Sequence, residues 1–149
     1  MGLIKKFFEE VTFFGGVFFY LFLVVLFYIL GKTDYSIILI LAFLFIYFVT
    51  FIIRLFYFKP RPEKTSYSNF IEKIDASSFP SVHAARITFL ALFLIFSFTL
   101  NYIYIFMIVI SWFLIIYSRK YLKKHHISDL VAGIVLGITS FVLSRIILL

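Results

Sequence analysis

Twenty consecutive residues, 11–30, carry no charge. As a helix they would extend about 30 Å, the thickness of a bilayer's hydrocarbon core. No other feature limits the fold of this chain so strongly. In lipid every backbone N–H and C=O must find its partner inside the protein, which leaves helices or a closed barrel. Further apolar runs of similar length follow at 35–58, 80–100, 102–118 and 128–149. Composition agrees: 64% of residues are hydrophobic, mean hydropathy is +1.12, and 14% are charged, against ~25% in soluble proteins. The 149 residues suit one domain. The expected fold is an all-α integral membrane bundle of about five transmembrane helices.

The segments between the runs are short. Residues 1–10 read as an interfacial amphipathic helix, with Leu3, Ile4, Phe7, Phe8 and Val11 on one face at helical spacing. Lys5 with Glu9, and Lys6 with Glu10, form i,i+4 pairs on the other face. Residues 31–34 make a tight turn, and Asn101 marks another. The longest loop, 59–79, holds two prolines and a short surface helix near 70–74. Pro80 suits the first turn of the third span. Gly133 and Gly137 form a Gly-x-x-x-Gly pair suited to close helix packing, and Gly15 and Gly16 suggest packing or a bend.

Net charge is +7, yet the basic residues punctuate lipid-soluble stretches and do not form the surface stripe of a nucleic-acid binder. Anionic headgroups or a phosphorylated substrate fit better as partners. There is no cysteine, so disulfides and cysteine-bound zinc are excluded. The N-terminus lacks the small-residue cleavage site of a signal peptide.

With five spans, the N-terminus, loop 59–79 and loop 119–127 fall on one membrane face. Residues 119–129 hold two histidines, one aspartate and four of the fourteen basic residues. Topology brings this run together with Arg54, Arg61 and the sequence Pro80-Ser81-Val82-His83. His125 and Asp129 are i,i+4 and share a face if the helix begins early enough. A carboxylate against one ring nitrogen leaves the other free and more basic, which suits a nucleophile or base. Arg54, Arg61 and Arg119 offer planar forks for phosphate oxygens. His83 follows Ser81 at a helix start, where backbone N–H groups favour an anion.

These residues resemble the motifs of the type 2 phosphatidic acid phosphatase (PAP2) superfamily of membrane lipid phosphatases. That family's third motif, Ser-Arg-x5-His-x3-Asp, is complete as Ser118, Arg119, His125 and Asp129. The second, Pro-Ser-Gly-His, reads Pro80-Ser81-Val82-His83, with Val82 for glycine. The first, Lys-x6-Arg-Pro, reads Arg54-x6-Arg61-Pro62, with Arg54 for lysine. The resemblance implies a metal-independent hydrolase without a cofactor. It implies that His125 attacks phosphorus to form a phosphohistidine, that Asp129 orients it, and that His83 protonates the leaving oxygen. Arg54, Arg61, Ser81 and Arg119 would hold the phosphoryl oxygens. The family more often has six spans, and here the amphipathic start takes the place of the first.

Other residues have plainer roles. Lys5, Lys6, Lys64, Lys123 and Lys124 are explained by topology. A metal held by His83, His125 and Asp129 is conceivable, but the arginines would repel a cation. Spacing makes His126 a bystander. Arg86, one turn beyond His83, either touches substrate or snorkels; Arg145 snorkels. Trp112 and the other aromatics face lipid or pack.

The expected activity is removal of a phosphate or diphosphate from a lipid. The candidates are lipid A 1-phosphate or polyprenyl diphosphate, favoured because a short 59–79 loop spares few headgroup contacts, then phosphatidylglycerol phosphate and phosphatidic acid. Transfer of phosphate to another lipid on the same core is an alternative, as is a non-catalytic lipid carrier. The lysine count puts the site in the cytoplasm under the positive-inside rule. Many bacterial relatives in the resembled family act on the outer face of the inner membrane, and substrate-binding charge distorts the count, so the outer face is expected.

Overall fold

The computed structural model describes residues 2–63 and 66–148. Lys64, Met1 and Leu149, which the sequence reading placed in a loop, a helix and a span, lie outside them. Among the described residues the chain forms seven α-helices and one 3-10 turn, with no strand. The first helix, α1 (Leu3–Val11), buries none of its residues fully. Lys5 meets Glu9 at 3.9 Å on its polar side, and the apolar stripe lies between lipid and protein.

Residues 11–30 do not form one straight helix. Thr12–Gly15 make the 3-10 turn, Gly16 is extended (φ −72°, ψ 164°), and α2 runs Val17–Ile29. The chain bends by 41° at this break. Glycine permits it, since a Cβ on Gly16 would come within 2.8 Å of the Phe13 carbonyl oxygen. Gly31, at φ +70°, ends α2 in the left-handed conformation that costs glycine least. Helix α3 (Thr33–Phe56) returns along α2. Tyr20 Oη donates to the Leu39 carbonyl at 2.9 Å, and Ser36 Oγ to the Val24 carbonyl at 3.0 Å.

A short helix, α4 (Phe70–Ala76), interrupts the long loop. Its cap is reciprocal: the Asn69 side chain accepts the Glu72 N–H at 2.8 Å, while the Glu72 carboxylate accepts from Ser68 and Asn69, as in a capping box. Helix α5 (Val82–Ser97) starts two residues later than expected, after the cis Phe79–Pro80 peptide, with Ser81 as its cap. Helix α6 (Tyr102–Tyr121), capped by Asn101, continues past residue 118, so Arg119 sits on its last turn. Helix α7 (Ile127–Leu148) completes the chain. The Phe8 ring of α1 stacks near Tyr121 and Tyr117 of α6, with centroids 4.6 and 5.6 Å apart.

Three helices are long and apolar enough to cross a bilayer: Thr33–Phe56, Tyr102–Tyr121 and Ile127–Ile146. The bent Leu3–Gly15 and Val17–Ile29 pair makes a fourth if counted as one span. The remaining expected span, 80–100, corresponds to α5, whose sixteen residues reach only about 24 Å. It can be short because it is central: nine of the sixteen are buried, sheathed by α3, α6 and α7. Large apolar side chains such as Phe48, Phe106 and Val135 cover the outside, the arrangement of a membrane helical bundle.

The tightest packing is α5 on α7. A Cβ at Gly137 would lie 2.5 Å from the Ala85 carbonyl oxygen and 2.8 Å from Thr88 Cβ; one at Gly133 would lie 2.9 Å from Ala84 Cβ and collide with the Ser81 carbonyl. The Gly-x-x-x-Gly pair therefore admits the backbone of α5 itself. Beyond this seam, Tyr20, Leu39, Ile46, Phe89 and Phe93 form part of the buried core.

Candidate active site

A cavity of about 350 Å³ opens where α3, α5 and α6 end on the loop side. Arg54, Arg61, His83, Arg86, Arg119 and His125 all line it, with Tyr47, Thr50 and Phe51 from α3 and Ile71 and Ile74 from α4. Residues far apart in sequence thus meet, as Arg54 and His125 do, 71 positions apart. Among the lining residues four are arginine and one, Asp75, is acidic. The balance favours an anion. Ser81 and Asp129, also expected at the site, do not line the cavity. Both are fully buried in its wall, and the Ser81 hydroxyl caps α5 by accepting from Ala84 N.

Backbone bonds hold the wall. Ser81 N–H donates to the Asp129 carbonyl at 3.0 Å, joining the start of α5 to the start of α7, and Ser78 N–H donates to the Lys59 carbonyl at 2.8 Å. Arg54, on the last turn of α3, spends four hydrogen bonds on carbonyls: Nε to Phe79, Nη1 to Ile74 and Asp75, Nη2 to Pro80, at 3.2–3.4 Å. A guanidinium has five N–H donors, so one remains. The structure makes Arg54 chiefly the tie that holds the 74–80 segment, and through it His83. A lysine there has only three donors and no planar fork.

The pairing expected between Asp129 and His125 is not the one observed. Helix α7 begins at Ile127, so His125 precedes it and Asp129 Oδ2 stays 3.9 Å from Nδ1. The His125 Nδ1–H donates instead to the Ser78 carbonyl at 2.8 Å. A carbonyl only accepts, so this partner puts the proton on Nδ1 and leaves the Nε2 lone pair free. Asp129 accepts the His126 N–H at 2.8 Å and the Lys59 ammonium at 2.5 Å. Burial, with Arg119 next in weight, lowers the His125 pKa to about 3, so the ring is neutral at pH 7.

His83 has the opposite tautomer. Arg86 Nη2 lies 3.2 Å from its Nδ1, and the Thr12 carbonyl 2.7 Å from its Nε2. A guanidinium only donates and a carbonyl only accepts, so Nδ1 is the acceptor and Nε2 carries the proton. Arg86 is buried, also donates to Tyr47 Oη at 3.0 Å, and lies over the Tyr47 ring. It lines the site and does not snorkel. Arg61 donates to the Asp75 carbonyl at 2.8 Å, and Arg119 to Thr12 Oγ1 at 3.1 Å. Among the described residues, the Nε atoms of Arg61, Arg86 and Arg119 are shielded from solvent and have no partner. Such donors are costly unless an acceptor arrives.

His126 contacts the Pro60 carbonyl at 3.2 Å and does not line the cavity. No cluster of three His, Cys, Asp or Glu side chains suited to a metal occurs among the described residues. Sequence reasoning missed Lys59, Ser78, Thr12 and Tyr47. Lys59 falls in the gap between Arg54 and Arg61, where the first motif specifies no residue type. Ser78 acts through its backbone carbonyl, and Thr12 does so in part, which no side-chain pattern reveals.

Residues 35–148 match the family described as the PAP2 superfamily. The chain belongs to this superfamily. With membership comes its class of chemistry: the protein is a membrane hydrolase of lipid phosphates. Among solved structures, the crystal structure of Aquifex aeolicus LpxE is similar in fold, with a TM-score of 0.77 and 24% identity over 97% of this chain and 87% of that one. No curated protein matches the chain significantly. The PAP2 match begins in α3, so α1, the 3-10 turn and α2 lie outside it.

The depressed His125 pKa has a stability consequence. Between about pH 6.5, the ordinary histidine value, and the folded value of about 3, the unfolded chain binds a proton that the folded chain refuses. The contribution is intact above pH 6.5 and is lost as pH falls, by at most about 1.4 kcal/mol per unit. Thermal unfolding in detergent from pH 7 to 4 should show a shallower pH dependence for His125→Asn than for the parent. Equal slopes would refute the depressed value.

Proposed function

We propose that the cavity removes phosphate from a lipid through a phosphohistidine on His125. One observation carries this reading: two histidines of opposite tautomer line a cavity in which three arginine Nε–H groups have no partner. The His125 Nε2 lone pair attacks phosphorus as the bond to the lipid oxygen breaks. A phosphate monoanion brings the proton that His83 needs: the ring takes it up as imidazolium, gives one proton to the lipid oxygen as that bond breaks, and the neutral ring left behind takes a proton from the incoming water. Water then attacks phosphorus, the P–N bond breaks and phosphate leaves. Phosphoryl transfer asks mainly for positioning and charge neutralisation, which Arg61, Arg86 and Arg119 supply and Arg54 supports. Asp129 and Ser81 act from the wall, fixing the chain that carries the two histidines.

The favoured substrates are lipid A 1-phosphate and polyprenyl diphosphate. Among the described residues of the 59–79 loop, the seven of α4 form one helix, which supports a substrate that asks for few headgroup contacts and leaves its tail in the bilayer. The membrane is the cell's inner membrane and the site faces outward, against the lysine count, as many bacterial relatives of this family do. A cysteine at exposed Lys120 should react with an impermeant maleimide added to intact cells; labelling only after lysis reverses the orientation.

Phosphate release in mixed micelles, measured across lipid A 1-phosphate, polyprenyl diphosphate, phosphatidylglycerol phosphate and phosphatidic acid, should be highest for the first two. His125→Ala should abolish it, and His83→Ala should lower it roughly 10²–10⁴-fold, as loss of a general acid does. Near-full release by His125→Ala would sink the mechanism. Labelled phosphate appearing on an added acceptor lipid would make the protein a transferase on the same core.

A further inference from the structure

The N-terminal turn lies outside the residues matched to the superfamily, yet it reaches into the site. Thr12 touches two lining residues from different helices. Its carbonyl accepts the His83 Nε2–H at 2.7 Å, and its hydroxyl accepts from Arg119 Nη1 at 3.1 Å. Three residues on, Gly15 lies flat against the His83 ring: a Cβ there would come within 2.5 Å of Cδ2 and 2.9 Å of Nε2. The same Cβ would press on Ile115 Cγ2 of α6 at 2.8 Å. The turn is closed by Gly16 N–H on the Phe13 carbonyl at 2.7 Å. It is anchored upstream by Phe8 against Tyr117 and Tyr121, which flank Arg119 in sequence.

Each contact has a chemical consequence. A guanidinium is planar, so holding Nη1 fixes the direction in which the unpartnered Nε–H of Arg119 points. Arg86 on Nδ1 and Thr12 on Nε2 together exclude the other His83 tautomer. That tautomer would carry its proton on Nδ1, against Arg86, and offer none at Nε2. We propose that Thr12 is a positioning residue for the phosphatase reaction: its hydroxyl sets the plane of Arg119 and its carbonyl holds the resting His83 ring in place through Nε2–H, while Gly15 provides the space in which that ring lies. The 3-10 turn of this chain is thus a working part of the site. This inference rests on the roles given above to His83 and Arg119.

Thr12→Val keeps shape and carbonyl but removes the hydroxyl, Thr12→Ser keeps both polar groups, and Gly15→Ala displaces the His83 ring. The full-length variants would be assayed in detergent on a long-chain alkyl phosphate and on a nitrophenyl phosphate, whose leaving group needs no proton. Thr12→Val should lower kcat/KM about 10- to 100-fold on both substrates, the cost of misplacing a phosphate-holding group, with an unfolding temperature close to that of the parent. Thr12→Ser should restore most of the activity. Gly15→Ala should lose much more on the alkyl than on the nitrophenyl ester, because only the alkyl ester depends on the His83 proton. Parent-like kinetics for Thr12→Val, no rescue by serine, or equal losses of Gly15→Ala on both esters would overturn the proposal. His125→Ala in the same assay separates the two failures. If it is dead while Thr12→Val is unaffected, only this inference falls. If it stays active, the reading of the site itself falls.

Discussion

Helices α5 and α7 approach so closely that an alanine methyl at Gly137 would meet the Ala85 carbonyl oxygen at 2.5 Å, and the charged end of the molecule depends on that seam. The seam begins at the Ser81 N–H to Asp129 carbonyl bond. From there the start of one helix carries His83 and the start of the other is preceded by His125. A one-residue slip would rotate side chains by about 100° around a helix axis and separate the two rings. Two glycines four residues apart set the register, and the cavity inherits it.

Positive charge is the second constraint. Four arginines line one cavity near lipid with a single acidic neighbour, and buried charge without a partner is expensive. The structure offsets part of this cost with backbone carbonyls. Arg54 takes those of Ile74, Asp75, Phe79 and Pro80, and Arg61 takes that of Asp75. Among the donors left over, the Nε groups of Arg61, Arg86 and Arg119 are shielded from solvent and without a partner, and a phosphoryl group would satisfy them. Lys59 is held away from that role by its ion pair with Asp129.

Much of this was legible in the sequence, for reasons particular to membranes. Lipid favours helix for a long apolar run, so α3, α6 and α7 followed from hydropathy, and the charged clusters at span ends supplied residues that line the cavity. Two kinds of feature were hidden. The shortness of α5 depends on tertiary burial, since a helix sheathed by others need not match the bilayer, whereas the bend at Gly16 was one of the two roles its sequence offered. The contacts of His125 with Ser78 and of His83 with Thr12 are to carbonyl oxygens, which every residue possesses. The i,i+4 spacing of His125 and Asp129 suggested a direct pair, but α7 starts two residues too late. Asp129 instead closes the first turn on the His126 N–H.

The central claim is that His125, holding its proton on Nδ1, uses the free Nε2 to form a covalent bond to phosphorus. Rapid alkaline quench of the enzyme during turnover of a labelled lipid phosphate, followed by mass spectrometry of its peptides, tests this directly. The account predicts phosphate on the Nε2 of His125, accumulating in the steady state and absent from His125→Ala. Phosphate on another residue, or an unlabelled enzyme that releases product at full rate with trapping times shorter than turnover, would contradict it.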